Sequence, residues 1–89
     1  MSQNVSDTLQ ERGKQHGKFA DNAKFSQTLR QMMRSSPRWA FMTQEQCEAL
    51  EMIACKMSRI ISGDANHTDH WRDIAGYATL AEQSISEPS

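Results

Sequence analysis

The chain is predicted to be all-α on three observations. Apolar residues recur at three- and four-residue steps along two long stretches, helix-capping residues stand at the ends of those stretches, and there is neither a β-branched alternating run nor an Asn-Gly or Asp-Gly hairpin pair. With 89 residues, 37% of them apolar, and a mean hydropathy of −0.74, the chain makes one domain with little material for a private core. The expected architecture is a small helical hairpin or bundle. Two long antiparallel helices are joined by one or two shorter N-terminal helices, and oligomerisation to a homodimer or higher covers the remaining apolar flank.

Residues 1–10 form an N-terminal segment in which Ser6 can cap a short helix over residues 6–11 that Gly13 stops; only Val5 and Leu9 offer it a buried stripe, so it can fray. The domain proper is placed at residues 11–83. It begins with a loop at 12–19, where two glycines interrupt four groups able to carry positive charge and no helical period is present. Over residues 21–34, Phe25, Leu29, Met32 and Met33 fall on one helical face, with Asp21 or Asn22 as cap, and Ser35-Ser36-Pro37 ends the helix. Thr43 and Gln46 then spell a capping box. Cys47, Leu50, Ala54, Met57 and Ile61 continue as an a/d-like buried seam widened by Ile53 and Ile60, and Gly63 is expected to supply a left-handed residue at the end. A last helix runs from Thr68 or Asp69 to about Gln83, burying Trp71, Ile74, Ala75, Ala78 and Ala81, while Ala75 and Gly76 let another helix come close. Residues 84–89 are expected to be a disordered tail.

The net charge of −1 hides an asymmetry: residues 1–40 carry seven Lys/Arg against three Asp/Glu, and residues 41–89 carry three against eight. The basic part suits phosphates and the acidic part suits a cation or a basic surface, although solvated helix faces explain both equally well. No apolar run approaches the ~20 residues needed to cross a bilayer and no signal-like start is seen, so no membrane contact and a cytoplasmic location are expected. Cys47 and Cys55 lie eight apart on one helix, ~12 Å along its axis, too far to bridge.

Two carboxylates, Glu48 and Glu51, stand three apart on one side of the third helix, where they invite a cation; Arg59 extends that side and can neutralise a phosphate. Asp73 on the next helix lies beyond the first turn, where helix-end electrostatics no longer explain it, whereas Asp69 is explained as a cap. An oxygen set of Glu48, Glu51 and Asp73 suits Mg²⁺, whether the three meet within one chain or across two. The His67-x-Asp69-His70 cluster raises zinc, but no second pair of Cys or His completes a four-ligand spacing. Arg12, Lys14 and His16 in the glycine-containing loop are candidate phosphate contacts, and Phe19 either stacks on a base or plugs the core. Arg34 and Arg38 are candidate nucleic-acid phosphate contacts, with Trp39 a second stacking candidate. Nucleic acid ranks third among the partners, because the chain has no overall basic footprint. Nucleophile-elbow, Walker and paired C-x-x-C motifs are absent.

R-G-K-Q-H-G-K-F at 12–19, D-N-A at 21–23, E-A-L-E-M-I-A-C-K at 48–56, R-I-I-S-G-D at 59–64 and H-W-R-D-I-A-G-Y-A at 70–78 resemble a small domain of bacteriophages and prophages. That domain in turn looks like a reduced member of the MazG-like all-α nucleoside triphosphate pyrophosphohydrolases, which carry E-E-x-x-E on one helix and E-x-x-D on the next. Glu48 and Glu51 match the last two glutamates of the first motif and Asp73 the aspartate of the second. Cys47 and His70 replace two of the five acids. The resemblance implies that Glu48, Glu51 and Asp73 hold Mg²⁺, that His70 is a ligand or proton carrier, and that Arg12, Lys14 and Arg59 contact phosphate. The implied function is to bind, or to bind and hydrolyse, a nucleotide-like phosphate ligand in the bacterial host cytoplasm. The alternative, of a different class, is a non-enzymatic helical protein that binds and modulates a host protein.

Overall fold

The computed structural model describes residues 18–86. The helix expected at residues 6–11 and the loop carrying Arg12, Lys14 and His16 lie outside the described residues, as do residues 87–89. Within them the fold is all-α: helix α1 (Phe19–Arg34), a 3₁₀ turn (Trp39–Phe41), helix α2 (Gln44–Ser62) and helix α3 (Thr68–Ser86).

Helix α1 starts two residues before the expected cap. Lys18 is the extended N-cap residue and makes no side-chain cap bond, while Asp21 sits inside the first turn, where a carboxylate complements the helix dipole. Its end is as expected: the Ser35 N–H donates to Gln31 O at 3.0 Å and the Ser35 hydroxyl to Met32 O at 2.7 Å, just ahead of Pro37. At the start of α2 the capping box closes from both sides, the Gln46 N–H donating to Thr43 Oγ1 at 3.1 Å and the Thr43 N–H to Gln46 Oε1 at 2.9 Å. The far end differs from expectation. Gly63 has φ of −128°, so it is not a left-handed cap, and its N–H reaches Arg59 O at 3.0 Å. The connection to α3 is built by Asp64, whose carboxylate accepts from the Asn66 N–H at 2.9 Å, and is pinned by the Trp71 indole N–H donating to Ala65 O at 2.8 Å. Helix α3 continues to Ser86, past the expected end at Gln83, so residues 84–86 belong to a helix and not to a tail.

Helix α2 is the middle of the molecule, with α1 and α3 packed on its two sides and at most marginal contact between them. Both neighbours run antiparallel to it. Asn22 meets Ser58 while Arg30 and Arg34 meet Glu51, and Lys56 meets Asp73 while Ala49 shares a groove with Ala81. At ~100° per residue, the residues of α2 turned to α1 (Glu51, Ala54, Ser58) and those turned to α3 (Ala49, Lys56, Ile60) lie on opposite sides of its axis. The three helices thus form a single layer, and a layer has two open faces.

The core is correspondingly small: among the described residues Ala49, Ala54 and Ile60 are the buried apolar ones. This corrects the expected seams. Of the α2 seam, Leu50, Met57 and Ile61 are exposed, and on α3 Trp71, Ala75 and Ala78 are exposed, while the inward side is formed by His70, Ile74, Tyr77, Ala81 and Ser84. The apolar stripes exist, but they are rotated away from the intrachain neighbours. Small or polar inward residues allow the closer approach, as at Ala49, Ala54 and Ser58. Gly76 does not serve a close approach, since a Cβ there meets nothing within 4 Å.

Candidate functional site

Helical arithmetic sorts the remaining side chains onto the two open faces of the layer. On one side stand Arg30 and Arg34 of α1, Glu48, Glu51 and Arg59 of α2, and Asp73 and Leu80 of α3. This charged side contains every carboxylate singled out from the sequence as a metal ligand. It also contains Arg30, which the motif reading left out.

Glu51 is mostly buried, with 19% of its side chain exposed, at the contact between α1 and α2. Its Oε1 lies 2.5 Å from Arg34 Nη2 and 3.8 Å from Arg30 Nε, and Arg30 also donates from Nη2 to the Glu51 backbone carbonyl at 3.2 Å. Two guanidinium groups thus share one carboxylate, leaving the trio with a net charge of +1. Arg30 Nε is buried and has no hydrogen-bond partner among the described residues. On the other flank of α2, Lys56 Nζ is 3.0 Å from Asp73 Oδ2. The hydrogen bond from Lys56 holds the Asp73 carboxyl below the usual aspartate range. Partial desolvation opposes this, and the positive charges of Lys56, His70 and Arg59 reinforce it. A group whose folded pKa is depressed contributes stability above its unfolded pKa and loses it as pH falls through the folded value. The Lys56–Asp73 link is therefore intact at neutral pH and is lost only as pH falls below the ordinary aspartate value of 3.8, through the lowered folded one. Carboxyl-carbon NMR titration should place the Asp73 midpoint below the ordinary ~3.9, and Lys56→Met should move it up.

Glu48 is exposed and lines an open groove of about 600 Å³ between the start of α2 and the end of α3, together with Glu45, Ala49, Tyr77, Leu80, Ala81 and Ser84. Antiparallel packing sets Asp73 level with Lys56, and Glu48 stands eight residues, ~12 Å, back along α2. The three expected ligands therefore share a face without sharing a pocket. Among the described residues no three His, Cys, Asp or Glu side chains come together as a set able to hold a metal ion.

His70 is buried, 2% exposed, with its ring 4.7 Å from that of His67 in an edge-on arrangement. It belongs to the inward side of α3, away from Glu48 and Glu51. Asp69 lies in the first turn of α3, 3.3 Å from Arg72 and 3.8 Å from His67, as a helix-start carboxylate should. Arg59 is half-buried in the last turn of α2 on the charged side. Phe19 is the first residue of α1 and 85% exposed, so it does not plug the core. Trp39 is half-buried in the 3₁₀ turn, and the Arg38 guanidinium lies 5.9 Å from the centre of the Phe41 ring.

Motif reading missed Arg30 and Lys56, and it raised Arg34 only as a candidate nucleic-acid contact. Arg30 and Arg34 carried a usable signal, since they stand four apart beside the apolar stripe of α1. Lys56 had none, because its partner depends on how far α3 slides along α2.

No helix among the described residues is long and apolar enough to cross a membrane. No curated protein and no solved structure matches the sequence. A family model does match residues 3–85, nearly the whole chain, and the protein belongs to that family, described as a domain of unknown function, DUF6378.

Proposed function

We propose that the charged side of the layer binds a phosphate-bearing small molecule of the nucleotide class. One observation carries this reading: Arg30 and Arg34 converge on the single carboxylate of Glu51, so the cluster holds an unneutralised positive charge and more donors than Glu51 can satisfy. Arginine pairs of this kind match phosphate oxygens, and Glu51 acts as the internal anion that a phosphate exchanges with. Arg59 continues the cationic surface on the same side.

A resident Mg²⁺ does not fit the described residues, because Glu51 and Asp73 are each committed to cations and Glu48 stands apart from Asp73. Mg²⁺ enters this proposal as the counter-ion a triphosphate brings with it, and Glu48 is the acid open to meet it. The resemblance to MazG-like pyrophosphohydrolases supports a nucleotide as the ligand; no hydrolytic step is assigned. The alternative of a non-enzymatic module that binds a host protein draws on the opposite, apolar side of the layer.

The test is thermal melting against a panel of nucleoside triphosphates and inorganic pyrophosphate, each with and without Mg²⁺. A ligand at 100 times its Kd should add about 2.7 kcal/mol. Arg34→Gln, at a side chain 57% exposed, should remove that gain while leaving the ligand-free melt nearly unchanged. Glu51→Gln should tighten binding of metal-free pyrophosphate by releasing the arginines. Absence of any shift at millimolar nucleotide, or a shift indifferent to both substitutions, refutes the reading. The same incubations, assayed for monophosphate and pyrophosphate, read hydrolysis directly.

A further inference from the structure

The face opposite the charged side has the wrong composition for solvent. Leu50, Met57 and Ile61 fall within about 40° of one another on α2, and Trp71, Ala78 and Ile85 fall within about 40° on α3. Both sets point to the same side of the layer, joined by Met32 from α1. These are not scattered surface residues: Ile61 is 60% exposed, Trp71 55%, Ile85 67% and Met32 66%.

The spacing also carries information. Trp71, Ala78 and Ile85 repeat every seven residues, and Leu50, Met57 and Ile61 follow seven and four apart. Those steps keep a narrow seam against a facing helix. Among the described residues no helix faces them, because α1 and α3 occupy the two edges of α2.

We infer that this face is the contact between two copies of the chain, the α2–α3 pair of one packing on the α2–α3 pair of the other as a four-helix bundle. Three arguments select a second copy. First, among the described residues the single layer buries only Ala49, Ala54 and Ile60 as apolar side chains, whereas stable domains need two layers around a core. Second, Leu50, Met57, Ile61, Trp71, Ile85 and Met32 expose on the order of 600 Å², most of the ~800 Å² per partner that a standard stable interface uses. Third, residues 1–17 carry three apolar side chains, Met1, Val5 and Leu9, and residues 87–89 none, against six large apolar side chains on the face. A two-fold contact has a further consequence. It turns the two charged sides outward, so the acids of the two chains are not pooled and each chain carries its own charged surface. The inference does not depend on what that surface binds.

Sedimentation equilibrium and concentration-dependent melting of the full chain test it. The expected mass is twice 10.1 kDa at micromolar concentration, with a melting temperature that rises with protein concentration. Leu50→Glu and Ile61→Glu should each weaken association at least 100-fold. Ile85→Glu, in the last turn of α3 where folding is least at risk, should weaken it about tenfold. Thr79→Glu, an exposed position on the outer edge of α3, should leave the mass unchanged. A monomer at 100 µM overturns the proposal, as does a dimer that tolerates all three glutamates on the apolar face. If Leu50→Glu does not fold, the Ile85→Glu and Thr79→Glu pair still decides.

Discussion

Glu51→Leu should destabilise the protein by about 2 kcal/mol and Glu51→Gln by about 1 kcal/mol, read by urea unfolding at fixed protein concentration. The cost arises from what is left behind more than from the bond that is lost. Arg30 is three-quarters buried against α2 and keeps only its bond to the Glu51 backbone carbonyl, while Arg34 keeps its charge beside it. Two like charges then share a partly desolvated site with no counter-ion. Glutamine retains an acceptor oxygen and so loses less. The double variant Arg30→Met with Glu51→Leu should recover at least half of the single-variant loss, because an apolar pair of similar volume strands no charge. If the double variant is no better than Glu51→Leu alone, Glu51 acts through packing, and the cationic cluster proposed to bind phosphate loses its main physical support.

That cluster also shows where sequence reading succeeded and where it stopped. The capping box at Thr43 and Gln46 was legible because it is local: both bonds join residues three apart. The two longest helices, α2 and α3, and their antiparallel order followed from a short connection and periodicity. Glu48 and Glu51 were correctly placed on one side of α2, since their separation fixes the angle between them. What periodicity cannot supply is the neighbour that a stripe faces. Trp71, Ala75 and Ala78 form the apolar stripe of α3, yet α2 packs on the side that carries His70, Tyr77 and Ala81, with the Lys56–Asp73 link at the edge of that contact. The same limit hid Arg30 and Arg34 as partners of Glu51. Their contact crosses between helices, 17 and 21 residues apart in the chain, and depends on the slide of α1 along α2.

That slide is set at a second point, where the other large effect is expected. Ser58→Leu should cost about 3 kcal/mol and Ser58→Ala about 1 kcal/mol. Ser58 is fully buried between α1 and α2, one turn after Ala54 at 1% exposure, with Ser26 of α1 also buried. Small residues at this crossing let the two backbones approach, and a leucine adds volume where there is none to spare. Its Oγ lies 2.5 Å from Asn22 Oδ1 and 2.7 Å from Cys55 O. The single Ser58 hydroxyl is shared between these two acceptors, donating its proton to one at a time. Alanine loses those bonds but keeps the spacing, so α1 stays in place. Leucine moves α1 outward, and because Arg30 and Arg34 ride on the same rigid helix two and three turns further on, their grip on Glu51 loosens with it. Ser58→Leu should therefore weaken phosphate binding several-fold without touching the charged side, whereas Ser58→Ala should leave it close to unchanged. Equal binding by both variants would mean that the arginines follow Glu51 independently of α1, and that the register of the helices does not set the geometry of the site.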